Sequence, residues 1–141
     1  MGKMQRNKGA NGEREVLAML SERLGIPLER NLSQTRNGGA DCVQLGRIRL
    51  EVKRQERLNI TAWWKQAEEQ AGYVSIPNGI DTYMERGLNL IPVLAYRQSR
   101  KPWTFILDAA DIPILESRGH LLHMDIDTFC AIVVAHGMLS S

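Results

Sequence analysis

The sequence predicts one α/β domain with a mixed central β-sheet flanked by helices. Residues 47–53 alternate strictly between charged and apolar side chains, which is the period-two pattern of a strand with one buried face. Apolar residues between positions 16 and 24 recur at helical spacing. The apolar segments 88–96 and 104–107 predict two more strands. A chain of 141 residues with 43% hydrophobic content can bury one core, so we expect a single domain over residues 1–141.

The first predicted element is an amphipathic helix that begins within segment 8–15, near Glu13, and extends to residue 24. A carboxylate that points inward at the start of this helix suggests a functional role for Glu13. The alternative is that Glu13 and Glu15 only complement the positive end of the helix dipole, an explanation that suits Glu15 well. The apolar face that includes Glu13 also carries Val16, Leu17, Leu20 and Leu24.

A β-hairpin is predicted next, with strands at 40–44 and 47–53 and a left-handed turn residue at Gly46. An odd-length loop centred on Gly46 would place Asp41 opposite Glu51, with β-carbons roughly 4.5–5.5 Å apart. A two-residue turn would instead send Asp41 to the core face, so the hypothesis demands an odd-length loop. The alternation puts Ile48, Leu50 and Val52 on the core face and Arg49, Glu51 and Lys53 on the other.

Asp41 and Glu51 would repel each other at that distance unless a cation neutralised them. A hard cation such as Mg²⁺, with Mn²⁺ as a substitute, takes one or two carboxylates, here with the carbonyl of Val52 as a further ligand. A divalent cation beside a water nucleophile is the chemistry of phosphodiester hydrolysis. In that reaction Lys53 would orient or help deprotonate the attacking water and offset the charge that develops on phosphorus. Taken alone, a strand with this Glu-x-Lys spacing is typical of an ordinary solvated face.

A second helix is predicted over residues 62–71, capped by Thr61. Gln66 or Gln70 would reach the site from this helix and bind water or phosphate, although helix surfaces carry glutamine routinely. Trp63 and Trp64 are expected to pack against the sheet.

The rest of the chain completes the predicted sheet. Residues 75–86 are expected to form a loop, and Pro92 indicates that strand 88–96 is an edge strand or that Pro92 lies at its start. After Asp108 we expect two short helical segments, the second from Asp125 or Asp127 through Val134.

Charge is distributed unevenly along the chain. Residues 1–103 contain 17 Lys and Arg against 11 Asp and Glu, whereas residues 104–141 contain one against five. Such an asymmetric field suits a polyanion such as DNA better than a small neutral substrate, although solvated surfaces often have a similar composition. One basic cluster brackets the predicted site at residues 47–57, and another follows strand 88–96 at Arg97, Arg100 and Lys101.

Other features of the sequence exclude several classes of protein. Cys42 and Cys130 lack metal-knuckle or redox spacing and are expected to be reduced core residues. His120 and His123 form an H-x-x-H pair without a third ligand, which argues against a zinc site. Without a signal peptide or an apolar segment long enough to cross a bilayer, we expect a cytosolic protein with no membrane partner.

Several motifs together resemble a known family. They are K-G-x-x-x-E-R-E at 8–15, G-A-D at 39–41, L-E-V-K at 50–53, I-P-V-L-A-Y at 91–96 and W-T-F-I at 103–106. In order and approximate spacing they are similar to the archaeal-type Holliday junction resolvases of the PD-(D/E)XK nuclease superfamily and to phage-encoded relatives. The resemblance covers about residues 8–107 and leaves 108–141 as a C-terminal helical extension. The short 41–51 hairpin and this extension depart from the compact archaeal pattern.

The resemblance implies a set of functional residues. Glu13, Asp41 and Glu51 correspond to the family's acidic metal-site residues and would hold one or two Mg²⁺ ions, and Lys53 corresponds to its catalytic lysine and would act on the attacking water. Gln66, from the second predicted helix, would assist Lys53. Arg14 corresponds to a basic residue that contacts DNA near the site. The full set of expected DNA-contacting residues is Lys8, Arg14, Arg36, Arg49, Arg54 and Arg57.

The sequence therefore predicts a metal-dependent endonuclease that cleaves branched DNA such as Holliday junctions and acts as a homodimer, because a symmetric junction offers two equivalent cleavage points. A restriction, repair or replication-fork nuclease of the same fold is one alternative. A non-catalytic DNA-binding module, with a merely charged strand face, is another.

Overall fold

Helices cover both faces of a five-stranded mixed sheet, which confirms the predicted fold class. The structure is a computed structural model that describes residues 2–28, 43–77, 82–85, 90–112 and 119–139, with side chains for 11–28, 43–73, 90–112 and 119–139. The described elements are α1 (Gly2–Leu24), β1 (Val43–Leu45), β2 (Ile48–Arg54), α2 (Ile60–Gln70), β3 (Val74–Pro77), β4 (Thr82–Glu85), β5 (Ile91–Arg97), β6 (Thr104–Asp108), a 3-10 turn (Ala109–Asp111), β7 (Leu121–Met124) and α3 (Ile126–Ala135).

The strand order in the main sheet is β1-β2-β5-β6-β7. Strands β2 and β5 pair in parallel, and the other neighbours are antiparallel. Helix α2 lies in the crossover between β2 and β5 and packs on both of them. Strands β3 and β4 form a separate antiparallel pair within the same crossover.

The sheet buries one apolar cluster on each face. Helices α1 and α3 cover the first face, where the rings of Phe105 and Phe129 stack with centroids 4.6 Å apart. Helix α2 covers the second face, and its Trp63 and Trp64 pack with Leu94 and Ile106, which confirms the prediction for both tryptophans. Among the described helices, none is both long enough and apolar enough to cross a membrane.

The β1–β2 hairpin has a shorter loop than predicted. Leu45 pairs with Ile48, so the loop consists of two residues, Gly46 and Arg47, and the prediction of an odd-length loop is wrong. The left-handed conformation predicted for Gly46 is confirmed by its φ of 58°. A side chain at Gly46 would also collide with the backbone of the C-terminal segment, because its β-carbon would lie 2.3 Å from the carbonyl oxygen of Leu139.

The first two helices of the chain begin earlier than predicted. Helix α1 starts at Gly2, so Glu13 and Glu15 lie in its middle and its first turn contains no acidic residue. The helix-dipole explanation of these two carboxylates is therefore wrong, because that effect is confined to the terminal turns. Helix α2 is capped by Asn59, whose side-chain oxygen accepts a hydrogen bond from the Ala62 backbone at 3.4 Å, and the proposed cap at Thr61 is wrong.

The structure confirms only some of the predictions for the strands and loops after α2. Residues 75–86 were expected to form a loop but contain β4 and most of β3. Pro92 is the second residue of β5, which confirms the strand-start alternative, and β5 is an interior strand.

The C-terminal segment contributes to the same core. Among the described residues, the region of the first expected helix contains the 3-10 turn and β7, which pairs with β6, and residues 113–118 lie outside the described residues. The second expected helix is confirmed as α3. Asp125 caps α3 by accepting a hydrogen bond from the Thr128 backbone at 2.8 Å, which lowers the pKa of the Asp125 carboxyl. Cys130 is a free, buried cysteine whose thiol pKa is raised by burial, whereas Cys42 lies outside the described residues. Beyond α3, the Met138 carbonyl accepts a hydrogen bond from the Arg47 backbone at 3.2 Å.

Candidate active site

Glu51, which is buried, and Lys53, which is half-buried, form an ion pair near the carboxyl end of β2. The Lys53 Nζ lies 3.3 Å from the Glu51 Oε1, and the two side chains are 17% and 5% exposed. The pair faces away from Leu50, which belongs to the α1 side of the core. A carboxylate held beside an ammonium under low exposure is an expensive arrangement that structural needs rarely justify, so this pair is the centre of the candidate site.

Helix α2 and strand β5 explain why this part of β2 excludes water. In the parallel register Glu51 pairs with Leu94 and Lys53 pairs with Tyr96, so all four side chains lie on the α2 face. The ring of Tyr96 contacts Trp63 at a centroid distance of 6.1 Å. These bulky groups lower the local dielectric, which strengthens the attraction within the Glu51–Lys53 pair.

Helix α1 approaches the same end of β2 from the opposite face. A β-carbon added to Gly12 would lie 2.9 Å from the Arg54 β-carbon, closer than atoms of this kind can pack. Only glycine therefore permits this approach, and it fixes the depth of α1 at the residue before Glu13. Glu13 is half-buried on the face of α1 that carries Val16, Leu17 and Leu20, which confirms its predicted position on the apolar face.

Glu15 anchors α1 to the end of β5. Its Oε1 accepts a hydrogen bond from the Trp103 Nε1 at 2.8 Å and forms an ion pair with the Arg97 guanidinium. The two partners hold the helix against β5 and the β5–β6 turn. Together with the close contact at Gly12, this anchor sets both the depth and the rotation of the helix segment that presents Glu13.

The remaining predicted site residues fall into three groups. Val52 lies in β2 between Glu51 and Lys53, and Gln66 lies half-buried on α2. Asp41 and Arg36 lie outside the described residues, and for Lys8 the backbone alone is described, as part of α1. Asp41 loses the support of the hairpin register, because the loop has two residues.

The predicted DNA-contacting arginines differ in their surroundings. Arg14 and Arg57 are exposed. The Arg49 Nη1 donates hydrogen bonds to the carbonyls of Gly46 at 2.9 Å and Ile48 at 3.0 Å. The Arg54 side chain is 15% exposed and pairs with Glu56 at 3.1 Å. Arg14 and Arg57 are thus the two of these four whose guanidinium groups are exposed for contact with a ligand.

The oxygen donors present at the candidate site suit a hard divalent cation. Glu51 offers carboxylate oxygens in a sheltered position on the α2 face, which is the ligand chemistry that Mg²⁺ and Mn²⁺ prefer. Glu13 lies on α1, which covers the opposite face of the sheet, so the sheet does not bring these two carboxylates onto one face. Within residues 11–28, 43–73, 90–112 and 119–139, no three acidic, histidine or cysteine side chains converge as a metal cluster. His120 and His123 are exposed.

The fold and this pair of residues define a restriction-endonuclease-like α/β domain. Residues 4–130 match the model of the family described as "Phage putative PDDEXK endonuclease", and the chain belongs to that family. Comparison with curated proteins and with solved structures gave no match. The family name indicates a nuclease that acts on DNA, and nucleases of the PD-(D/E)XK superfamily typically use divalent metals.

The contact between Gly12 and Arg54 leads to a prediction that separates activity from stability. Alanine in a helix is favoured over glycine by about 1 kcal/mol, while overpacking costs about 1–3 kcal/mol, so Gly12→Ala should change the free energy of unfolding only modestly. The forced shift of α1 should displace Glu13 and reduce DNA cleavage by about tenfold to a hundredfold. Initial cleavage rates and urea unfolding measure the two effects. Asn11→Ala, at the exposed neighbouring position, is the matched control and should leave cleavage unchanged; an unimpaired Gly12→Ala enzyme would contradict this role.

Sequence reasoning missed Gly12 and the true role of Glu15. The partners of Glu15 lie 82 and 88 residues away in the chain, and no local pattern links them. A glycine in the middle of a helical pattern, where it costs helix stability, was the available signal for close packing at position 12.

Proposed function

We propose that this protein is a metal-dependent DNA endonuclease whose active site lies at the carboxyl end of β2. The observation that carries the proposal is the sheltered Glu51–Lys53 pair, at 3.3 Å, in a chain of the PD-(D/E)XK family. A charged strand face in a mere binding module would be solvated, whereas Glu51 is 4% exposed.

Each residue of the site has a distinct role in this proposal. Glu51, Glu13 and Asp41 would hold Mg²⁺ or Mn²⁺, with the carbonyl of Val52 as a further donor. When bound, the cation lowers the pKa of water and offsets negative charge on the scissile phosphate. The Lys53 Nζ would donate a hydrogen bond to the attacking water or to a phosphate oxygen, and Glu51 keeps this ammonium in place. Gln66 would assist in orienting the water from α2.

Substrate structure is the finer part of the proposal. We propose branched DNA, including Holliday junctions, as the preferred substrate, with a homodimer that places one active site at each of two equivalent strands. The excess of Lys and Arg in residues 1–103, 17 against 11 acidic residues, supports a polyanionic partner. The phage character of the family supports a role in the cytoplasm of an infected host.

A panel of labelled DNA substrates tests this function. Four-way junction, flap and linear duplex of the same sequence are incubated with Mg²⁺, Mn²⁺ or EDTA, and products are resolved on a denaturing gel. We expect cleavage with either metal and none with EDTA. The junction should be cleaved at least about tenfold faster than linear duplex, which corresponds to an activation free energy lower by about 1.4 kcal/mol. Sedimentation of the free protein and of its junction complex measures the oligomeric state.

The other outcomes of this panel distinguish the alternatives. Equal cleavage of linear duplex would remove the branched-DNA preference and leave a general nuclease. Binding to DNA without metal-dependent cleavage would refute the endonuclease proposal and favour a binding module. A monomer on the junction would remove the two-site arrangement.

A further inference from the structure

Two loops meet beyond the carboxyl ends of the parallel strands β2 and β5. Residues 55–59 follow β2, and residues 98–103 connect β5 to β6. Glu56 joins the loops: its carboxylate accepts hydrogen bonds from the Ser99 backbone at 3.0 Å and from the Ser99 hydroxyl, and its carbonyl accepts one from the Gln98 side chain at 2.6 Å. The Arg54 guanidinium adds a further link between the loops by donating a hydrogen bond to the Ser99 hydroxyl oxygen at 3.1 Å. The loops therefore form one connected surface at the end of β2 that carries Lys53.

Arg100 occupies an unusual backbone position on this surface. Its φ of 63° is the only positive value among the described non-glycine residues, in a region where glycine avoids the clash of a β-carbon. The arginine side chain is exposed and lies next to the exposed Lys101. A left-handed turn residue that is not glycine makes the exposed side chain of Arg100, next to Lys101, a candidate for contact with a ligand.

A groove lies between these loops and the sheet. It has a volume of about 370 Å³, within the size range of ligand clefts, and its walls are Leu58, Tyr96, Gln98, Lys101, Pro102 and Thr104. Three of the six are apolar or aromatic, two are neutral hydrogen-bonding side chains, and one is a cation. This combination fits a flat heterocycle that carries a phosphate.

The groove adjoins the candidate active site. Tyr96 pairs with Lys53 in the parallel register, and the two side chains lie on the same face of the sheet. The Trp63 ring packs against the Tyr96 ring at a centroid distance of 6.1 Å, with the two planes tilted by 47°. A group that rested on Tyr96 would thus lie one strand away from the ammonium that acts on the scissile phosphate.

We propose that this groove binds one nucleotide of an unpaired DNA strand, with its base against Tyr96, Pro102 and Leu58 and its phosphates on Lys101 and Arg100. The inference deepens the proposed function and rests on DNA as the substrate. It assigns the preference for branched DNA to a physical site, because a flap supplies unpaired nucleotides and the branch point of a junction lacks the continuous stacking that an intact duplex must break before a nucleotide leaves it.

Binding of fluorescent oligothymidylate, measured by anisotropy in EDTA so that no cleavage occurs, tests this site. Arg100→Gly should weaken binding about threefold to tenfold, and the slope of log affinity against log salt should fall by about 0.7 for the lost phosphate contact. The same substitution should raise the Tm by about 2–4 °C, because glycine relieves the left-handed conformation. A residue with a merely structural role would not lose binding while it gained stability.

The groove itself is tested at Leu58, which is 39% exposed. Leu58→Glu should weaken oligothymidylate binding at least tenfold by placing a charged carboxylate in the wall that receives the base of a polyanionic ligand, and Leu58→Gln, of the same size and neutral, should remain within about threefold of the original. Arg47→Gln, at the opposite end of β2, is the control for general charge and should change the affinity less than twofold.

Two results would overturn the inference. One is an unchanged affinity of both Arg100→Gly and Leu58→Glu for oligothymidylate. The other is an equal loss of affinity for oligothymidylate and for intact duplex, which would show that these residues contribute only nonspecific attraction to the DNA phosphate backbone. Because these measurements need no cleavage, a protein that never cuts DNA but shows the expected pattern would refute the endonuclease proposal and leave the nucleotide site standing.

Discussion

Lys53→Ala is expected to reduce DNA cleavage by about 10²–10⁴-fold and to leave DNA binding within about threefold of the original protein. The ammonium lies 3.3 Å from Glu51 and its side chain is 17% exposed, so Glu51 and the strand hold it in a sheltered position. Single-turnover cleavage with Mg²⁺ measures the chemical step, and anisotropy with Ca²⁺ in place of Mg²⁺ measures binding.

Two further variants separate the chemistry from folding. Lys53→Met keeps most of the alkyl stem that packs beside Tyr96 and removes the charge, so it should retain near-original thermal stability and be as inactive as the alanine variant. Lys65→Ala removes an exposed lysine of α2 and should cleave DNA normally. Substantial activity in Lys53→Met would remove the lysine from the mechanism.

Glu51→Gln is expected to reduce cleavage about a thousandfold by weakening the binding of the divalent cation. Glutamine preserves the size of the side chain and one oxygen donor, but it lacks the charge that holds Mg²⁺ in competition with its hydration shell. Isothermal titration with Mn²⁺ should show at least a tenfold loss of affinity.

The response to metal concentration distinguishes this variant from Lys53→Ala. Raising Mn²⁺ should restore part of the activity of Glu51→Gln by mass action, because the defect is in binding. It should not rescue Lys53→Ala, whose defect lies in the chemical step. Glu69→Gln, an exposed carboxylate on α2, is the matched control and should bind Mn²⁺ as the original protein does. Unchanged Mn²⁺ affinity in Glu51→Gln would exclude Glu51 as a ligand.

Local periodicity accounts for the parts of the fold that the sequence predicted correctly. Burial on one face of a strand or helix leaves a repeat of two or of about 3.6 residues, and this repeat predicted β2 and the buried stripe of α1. It also predicted α3, with Asp125 as one of two starting residues. Short elements such as β3, β4 and β7, of four residues each, carry too few repeats to be recognised.

The hairpin loop shows where local signals end. Gly46 correctly indicates a left-handed turn. The loop has only two residues, however, and it contacts Met138 and Leu139, which lie about ninety residues later in the chain. A one-residue change in register moves every side chain of a strand to the opposite face. The pairing proposed for Asp41 therefore could not be fixed from the hairpin sequence.

Residue order and spacing within single elements were enough to predict the fold class, the family motifs and the placement of Glu51 and Lys53 on one face of a strand. Contacts between elements were needed to establish that Glu51 is buried under α2, that Glu15 anchors α1 through Arg97 and Trp103, and that two loops line a groove beside Tyr96. These features arise from contacts between residues far apart in the chain, whose distances are set by packing and leave no periodic trace.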